Sequence, residues 1–147
     1  MGLREYLRQV FAAKDRLHAK ETQVAELREE LDKIGRMGAE HGTRQPVKID
    51  RLAGLTADYV DSIAECEREM ERLVSVRKDV EALVETLPHS KQKTVLFYRY
   101  VLCRKWEDVA ASLNYSEENV FLLHRQGLGE LAQNYEKLLE SRDETDL

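Results

Sequence analysis

The stretch WEDVAASLNYSEENVFLLHR, residues 106–125, decides the fold of the C-terminal part of this chain. From Trp106 to Leu113 the apolar residues Val109, Ala110 and Leu113 share one face of a short helix. Asn114-Tyr115 reads as a turn, because Asn tolerates the left-handed backbone that a tight turn demands. Ser116 is a residue type that caps helices, and Glu117 and Glu118 follow where the positive end of a helix favours carboxylates. Val120 and Leu123 supply the apolar side of this second helix. Two helices that cross steeply need a small residue at the crossing, and Ala110 stands there. Val109, Ala110, Leu113, Asn114, Tyr115, Val120 and Leu123 thus meet the constraints of the helix-turn-helix pattern.

Working outward, Leu87-Pro88 ends whatever helix precedes it, since proline cannot continue a helix interior and restrains its predecessor. Ser90 is the expected cap of a supporting helix with apolar positions Val95, Leu96, Tyr98, Val101 and Leu102, and Arg104-Lys105 is a short polar link. Downstream, the second helix of the motif is expected to reach about Leu139. Gly127 and Gly129 weaken its later half by about 1 kcal/mol each if exposed. The tail from Glu140 is expected to fray.

Upstream, Leu3, Tyr6, Val10, Ala13, Leu17, Val24, Leu27, Leu31 and Ile34 follow alternating spacings of three and four, interrupted at Lys20. They predict a helix to about Ile34, roughly 45–50 Å long at the α-helical rise. So narrow a stripe needs a partner helix. Leu52, Tyr59, Cys66, Leu73, Val80 and Leu87 recur every seven residues, with Thr56, Ile63, Met70 and Val84 between them and Arg77 as an exception. This predicts a second helix from about Arg51 to Thr86 with Asp50 as its N-cap. Residues 35–50, with three glycines and a proline, read as a loop. Periodicity leaves open whether the seam closes within one chain or between chains. The length of the first stripe favours a dimer or larger.

Charge and composition bound the partners. The net charge of −5 argues against a protein that coats nucleic acid without selectivity. Residues 88–139 carry 7 basic and 6 acidic side chains, so the acidity lies elsewhere, with 15 basic and 18 acidic over 1–87 and 1 and 4 over 140–147. Cys66 and Cys103 are far apart, both in expected helices, and outside any zinc spacing. No cofactor or metal is expected. No apolar run reaches the ~20 residues of a membrane span and the start lacks a secretory apolar region, so a cytoplasmic protein is expected. His18, His41, His89 and His124 are scattered, and no phosphate loop or catalytic triad stands out, which argues against an enzyme.

Phe97-Tyr-Arg-Tyr100, Glu107-Asp-Val-Ala110, Leu113, Ser116 and Val120 resemble region 4 of bacterial sigma factors. Arg99-Tyr100, Trp106-Glu107, Val109-Ala110, Leu113, Tyr115-Ser116, Val120, Leu123-His124, Leu128 and Leu131 are more similar still to small phage and prophage proteins of Gram-positive bacteria. Those proteins join an N-terminal helical segment to a sigma-like C-terminal unit, and Glu5, Tyr6 and Leu7 look like their opening. The resemblance implies a phage-type transcriptional regulator. The expected fold is therefore all-α: a long antiparallel, coiled-coil-like hairpin over 1–87, a sigma region 4-like helix-turn-helix over 88–139 and an acidic tail over 140–147.

Such a unit sends the start of its second helix into the major groove of double-stranded DNA. Ser116, Glu117, Glu118, Asn119, Phe121, Leu122, Arg125 and Gln126 are the candidate groove residues. Asn119 or Gln126 suits adenine, Arg125 guanine or phosphate, and Glu117 or Glu118 a cytosine amino group. Lys91, Lys93, Arg104 and Lys105 are candidate phosphate contacts. Relatives often carry Arg where this chain has Glu118 and Leu122. That difference keeps two alternatives in play: an adapter docking on a protein such as RNA polymerase, and a phage packaging component. His124 and Trp106 read as structural residues.

Overall fold

The computed structural model describes the backbone of residues 1–41 and 46–145, and the side chains of 1–37 and 49–144. Five α-helices follow one another among the described residues: α1 (Leu3–His41), α2 (Pro46–Val84), α3 (Ser90–Leu96), α4 (Trp106–Leu113) and α5 (Glu117–Thr145). A π-helical turn, Phe97–Val101, continues α3. No strand occurs among the described residues, and no described helix is long and apolar enough to cross a membrane. The all-α hairpin-first architecture expected from the sequence is the one observed.

The chain forms two compact units, Ala13–Leu73 and the combination of Met1–Ala12 with Val74–Leu147. In the first, α1 and α2 run antiparallel. Arg16 Nε meets Glu69 Oε2 at 3.3 Å and Lys20 Nζ meets Glu65 Oε2 at 2.7 Å, so a step of four along α1 is matched by a step of four back along α2. Lys20, the interruption of the heptad, lies in the seam and ends on a carboxylate. Its proximity and hydrogen bond lower the pKa of Glu65. The seam therefore closes within the chain. Leu17, Val24, Leu27, Leu31 and Ile34 are half-buried along it, because one partner helix covers only one side of a stripe.

The second seam differs from its expected register. Tyr59, Cys66 and Leu73 face inward as predicted, but Leu55, Ser62 and Glu69 stand between them. Thr56 and Met70, expected there, are exposed, and Leu52 is 39% exposed. The two candidate sets differ by one residue, or about 100° around the helix, and both contain apolar side chains. Contact with α1 selects between them.

The helix ends also differ. α1 runs past Ile34 to His41 and α2 starts at Pro46, so most of the predicted loop is helical; residues 42–45 lie outside the described residues. Pro46 opens α2, where its missing N–H would have been unpaired anyway, and Asp50 is inside the helix rather than its cap. The tail is helical to Thr145 rather than frayed, while Asp146 and Leu147 lie outside the described residues.

In the other unit, Tyr6, Leu7 and Val10 of α1 and Val76, Val80, Leu83 and Val84 of α2 are buried together with Leu96, Val101, Leu131 and Tyr135. Polar contacts hold its ends. The Tyr6 and Tyr135 rings lie 5.1 Å apart, the Tyr135 hydroxyl donates to the Met1 carbonyl, and Asn134 Nδ2 donates to Thr86 Oγ1 at 2.9 Å. α2 stops at Val84, before Pro88. His89, not Ser90, occupies the N-cap of α3, without a side-chain cap bond; the Ser90 carbonyl instead accepts from Thr94 Oγ1 at 2.8 Å. Gly127 is buried where α5 crosses α3, and a Cβ there would lie 3.0 Å from Leu96 Cδ1. It is a close-approach position, not the exposed weak point expected. Gly129 has open space around it.

Candidate nucleic-acid interface

The turn between α4 and α5 is built from short-range bonds. Glu107 and Asp108 occupy the first turn of α4, where its unpaired N–H groups favour carboxylates. At the other end Asn114 takes φ 58° and ψ 42°. Its N–H bonds to the Ala111 carbonyl at 3.3 Å and the Tyr115 N–H to the Ala110 carbonyl at 3.0 Å. This pair of bonds is a Schellman motif, which satisfies the last carbonyls of a helix through one left-handed residue. The chain then starts α5 at once: Ser116 Oγ accepts from the Asn119 N–H at 3.2 Å and the Ser116 carbonyl from Val120 N–H at 3.0 Å. Ser116 is thus the N-cap predicted.

Six of the seven constrained positions converge, and the seventh, Asn114, is the exposed turn residue. Val109, Ala110 and Val120 are buried with Val95 of α3, and Leu113, Tyr115, Leu123, Tyr98 and Trp106 close around them. Ala110 carries no bulk beyond Cβ, which lets α5 approach.

Beside this core the supporting segment departs from a plain helix. The Leu102 N–H reaches back five residues to the Phe97 carbonyl, and Cys103, expected within a helix, is left-handed at φ 55°. The widened turn lets Tyr100 and Val101 both be buried. The Tyr100 hydroxyl and His124 Nε2 share a hydrogen bond of 2.7 Å, and Trp106 stands edge-on to His124 at 4.6 Å. The Arg99 guanidinium lies 4.6 Å from the Trp106 ring centre and 5.0 Å from that of Phe11, with Nη1 donating to the Arg104 carbonyl at 2.8 Å. Burial, with Arg99 and Arg4 nearby, holds the His124 pKa down to about 4, so the ring is neutral at pH 7. Burial also raises the Tyr100 hydroxyl pKa. His124 and Trp106 are held by these contacts within the chain. The motif residues Arg99, Tyr100, Trp106 and His124 meet in one cluster; Phe11, from the far end of the chain, joins it with no local signal.

The candidate groove residues lie mostly on one exposed face. Ser116, Glu117, Glu118, Phe121, Leu122, Arg125 and Gln126 are exposed, and Asn119 is half-buried with its backbone N–H engaged by Ser116. Phe121 is 41% and Leu122 47% exposed, and the Phe121 ring lies 5.2 Å from that of Trp106. Gln126 accepts a long bond of 3.4 Å from Gln92 of α3, which draws the start of α3, with exposed Lys91, toward this face. Arg104 and Lys105 are exposed just before α4. Lys93 is different: it is half-buried and 3.4 Å from Glu85, so its charge is partly engaged. Among the described residues no group of three or more His, Cys, Asp or Glu is placed to hold a metal ion. Comparison with family models, curated proteins and solved structures finds no match to this chain.

Proposed function

We propose that the chain is a DNA-binding transcriptional regulator of a phage or mobile element, with α5 as a major-groove helix and the α1–α2 hairpin as its self-association or partner-binding arm. The observation that carries this reading is the α4–α5 junction. A Schellman turn at Asn114, the Ser116 cap and the packed Val109–Ala110–Val120 centre leave one face of the first two turns of α5, with Glu117, Glu118, Phe121 and Leu122, exposed to solvent. That is what a groove-entering helix requires. The sigma-like sequence setting supports it.

Fluorescence anisotropy with prophage promoter fragments tests it. If Lys91, Arg104, Lys105 and Arg125 all reach phosphates, log affinity falls against log salt with a slope approaching about −3.6, and each Ala replacement reduces the slope by about 0.9. Binding without sequence preference and insensitive to salt overturns the reading.

A second reading has its own observation. Phe121 and Leu122 are exposed beside Glu117 and Glu118, and an acidic-apolar face suits a protein surface better than a phosphate-lined groove. It makes the same face an adapter surface for a partner such as RNA polymerase. Arg125→Ala with Lys91→Ala abolishes DNA binding under the first reading and leaves partner capture intact under the second.

A further inference from the structure

The hairpin seam accounts for one face of α2, yet α2 carries a second apolar stripe. Ile49, Ala53, Thr56, Val60, Ile63 and Met70 follow heptad spacing, interrupted at Glu67. This is a second heptad, about a quarter-turn to a third-turn from the seam. Ile49 is 53%, Val60 58% and Met70 50% exposed. Ile49, Leu52, Ala53, Thr56 and Val60 line a shallow groove there. Thr56 and Met70, which periodicity alone placed in the seam with α1, are exposed on this stripe instead, and Ile63 is half-buried between the two.

We propose that this stripe is the contact face of a two-fold dimer in which α2 pairs antiparallel with α2 of a second copy. The pattern is self-complementary about a point between Asp61 and Ser62. In that register Val60 faces Ile63 of the partner subunit, small Ala53 faces large Met70 of the partner subunit, and Thr56 faces Glu67 of the partner subunit. A parallel pairing would instead set Glu67 against Glu67 of the partner subunit, two like charges in an apolar stripe. Antiparallel packing sends them to opposite ends, and an isologous contact of this kind closes after two copies. Ile49, Val60 and Met70, with Leu52 at 39% and Val74 at 46% exposure on the margins, are the apolar side chains such a pairing would cover. The proposal gives the self-association suggested above a face, and it does not depend on DNA binding.

Light scattering of the full chain at about 100 µM, far above the dissociation constant of a specific dimer, reads the mass. Twice the chain mass is expected. Val60→Glu with Met70→Glu should return a monomer with unchanged helical content by circular dichroism, since both positions are exposed. A second measurement fixes the register: Ala53→Cys with Met70→Cys, mildly oxidised, should give a 53-to-70 cross-linked peptide between chains. Ala53→Cys alone should give no 53-to-53 bridge. A monomeric parent chain overturns the proposal and assigns the stripe to a different partner. A dimer untouched by the two Glu substitutions overturns the face, and a 53-to-53 bridge overturns the antiparallel register. DNA binding measured on the same samples is a separate readout, so a monomer that binds DNA leaves the DNA reading standing.

Discussion

In the hairpin unit Leu17, Val24, Leu27, Leu31 and Ile34 stay half-exposed along their seam, while in the C-terminal unit Val109, Val120 and Leu131 reach 0% exposure. Both regions are helices with apolar stripes. The difference is the number of neighbours. Two helices cover one narrow strip on each other, whereas α3, α4 and α5 enclose side chains from several directions. The hairpin supplements its seam with the Arg16–Glu69 and Lys20–Glu65 pairs, which water partly reaches and which are of the kind that contributes about 1 kcal/mol or less each. One region is built as an enclosed core, the other as a two-helix seam.

The strongest way to break that contrast is to delete the same side chain from each region. Leu131→Ala should cost about 2–5 kcal/mol, because it opens a cavity in an enclosed core. Leu27→Ala should cost about 1 kcal/mol or less, since water already reaches that seam. Urea unfolding of the two variants checks this, and equal losses would show that the hairpin is as enclosed as the C-terminal unit.

Acid sharpens the contrast next. The His124 pKa is depressed from 6.5 to about 4 in the folded chain, so the unfolded chain binds more protons between those values. The neutral ring's contribution is complete above about pH 6.5 and is lost as pH falls toward 4. Glu65 in the hairpin, with its pKa lowered by Lys20, adds stability that fades only as pH falls through the carboxylate range. Thermal unfolding from pH 7 to pH 4.5 should therefore show a slope that His124→Gln removes. A slope unchanged by that substitution would mean the ring titrates freely.

The smallest effect compares two glycines of one helix. Gly127→Ala sets a Cβ 3.0 Å from Leu96 Cδ1, and that overpacking, of about 1–3 kcal/mol, outweighs the gain in helix propensity. Gly129→Ala meets nothing and should stabilise by about 0.5–1 kcal/mol. Opposite signs in the melting temperatures are expected.

These contrasts separate what local sequence controls from what it does not. The α4–α5 turn was legible because its determinants lie within a few residues: Asn114 adopts the left-handed conformation and Ser116 caps the next helix. The candidate groove residues were legible for the same reason, since helical spacing puts Glu118, Leu122 and Arg125 on one face once Val120 and Leu123 are inward. Lys93 was not, because its engagement depends on Glu85, eight residues away across a turn.

Periodicity determined that the chain is helical and that two long helices pair, and the residue types Asn114 and Ser116 determined where the turn before α5 falls. Tertiary structure decided which of two neighbouring sets on α2 faces α1: Ser62 and Glu69 carry no apolar signal, and Glu69 is drawn into the seam by Arg16 of the partner helix. It also decided that Gly127 is a crossing point rather than a weak point, and that Phe11 meets Arg99 beside Trp106. Contacts between residues so far apart in the chain leave no spacing for a sequence to display, since they depend on how whole helices lie against one another.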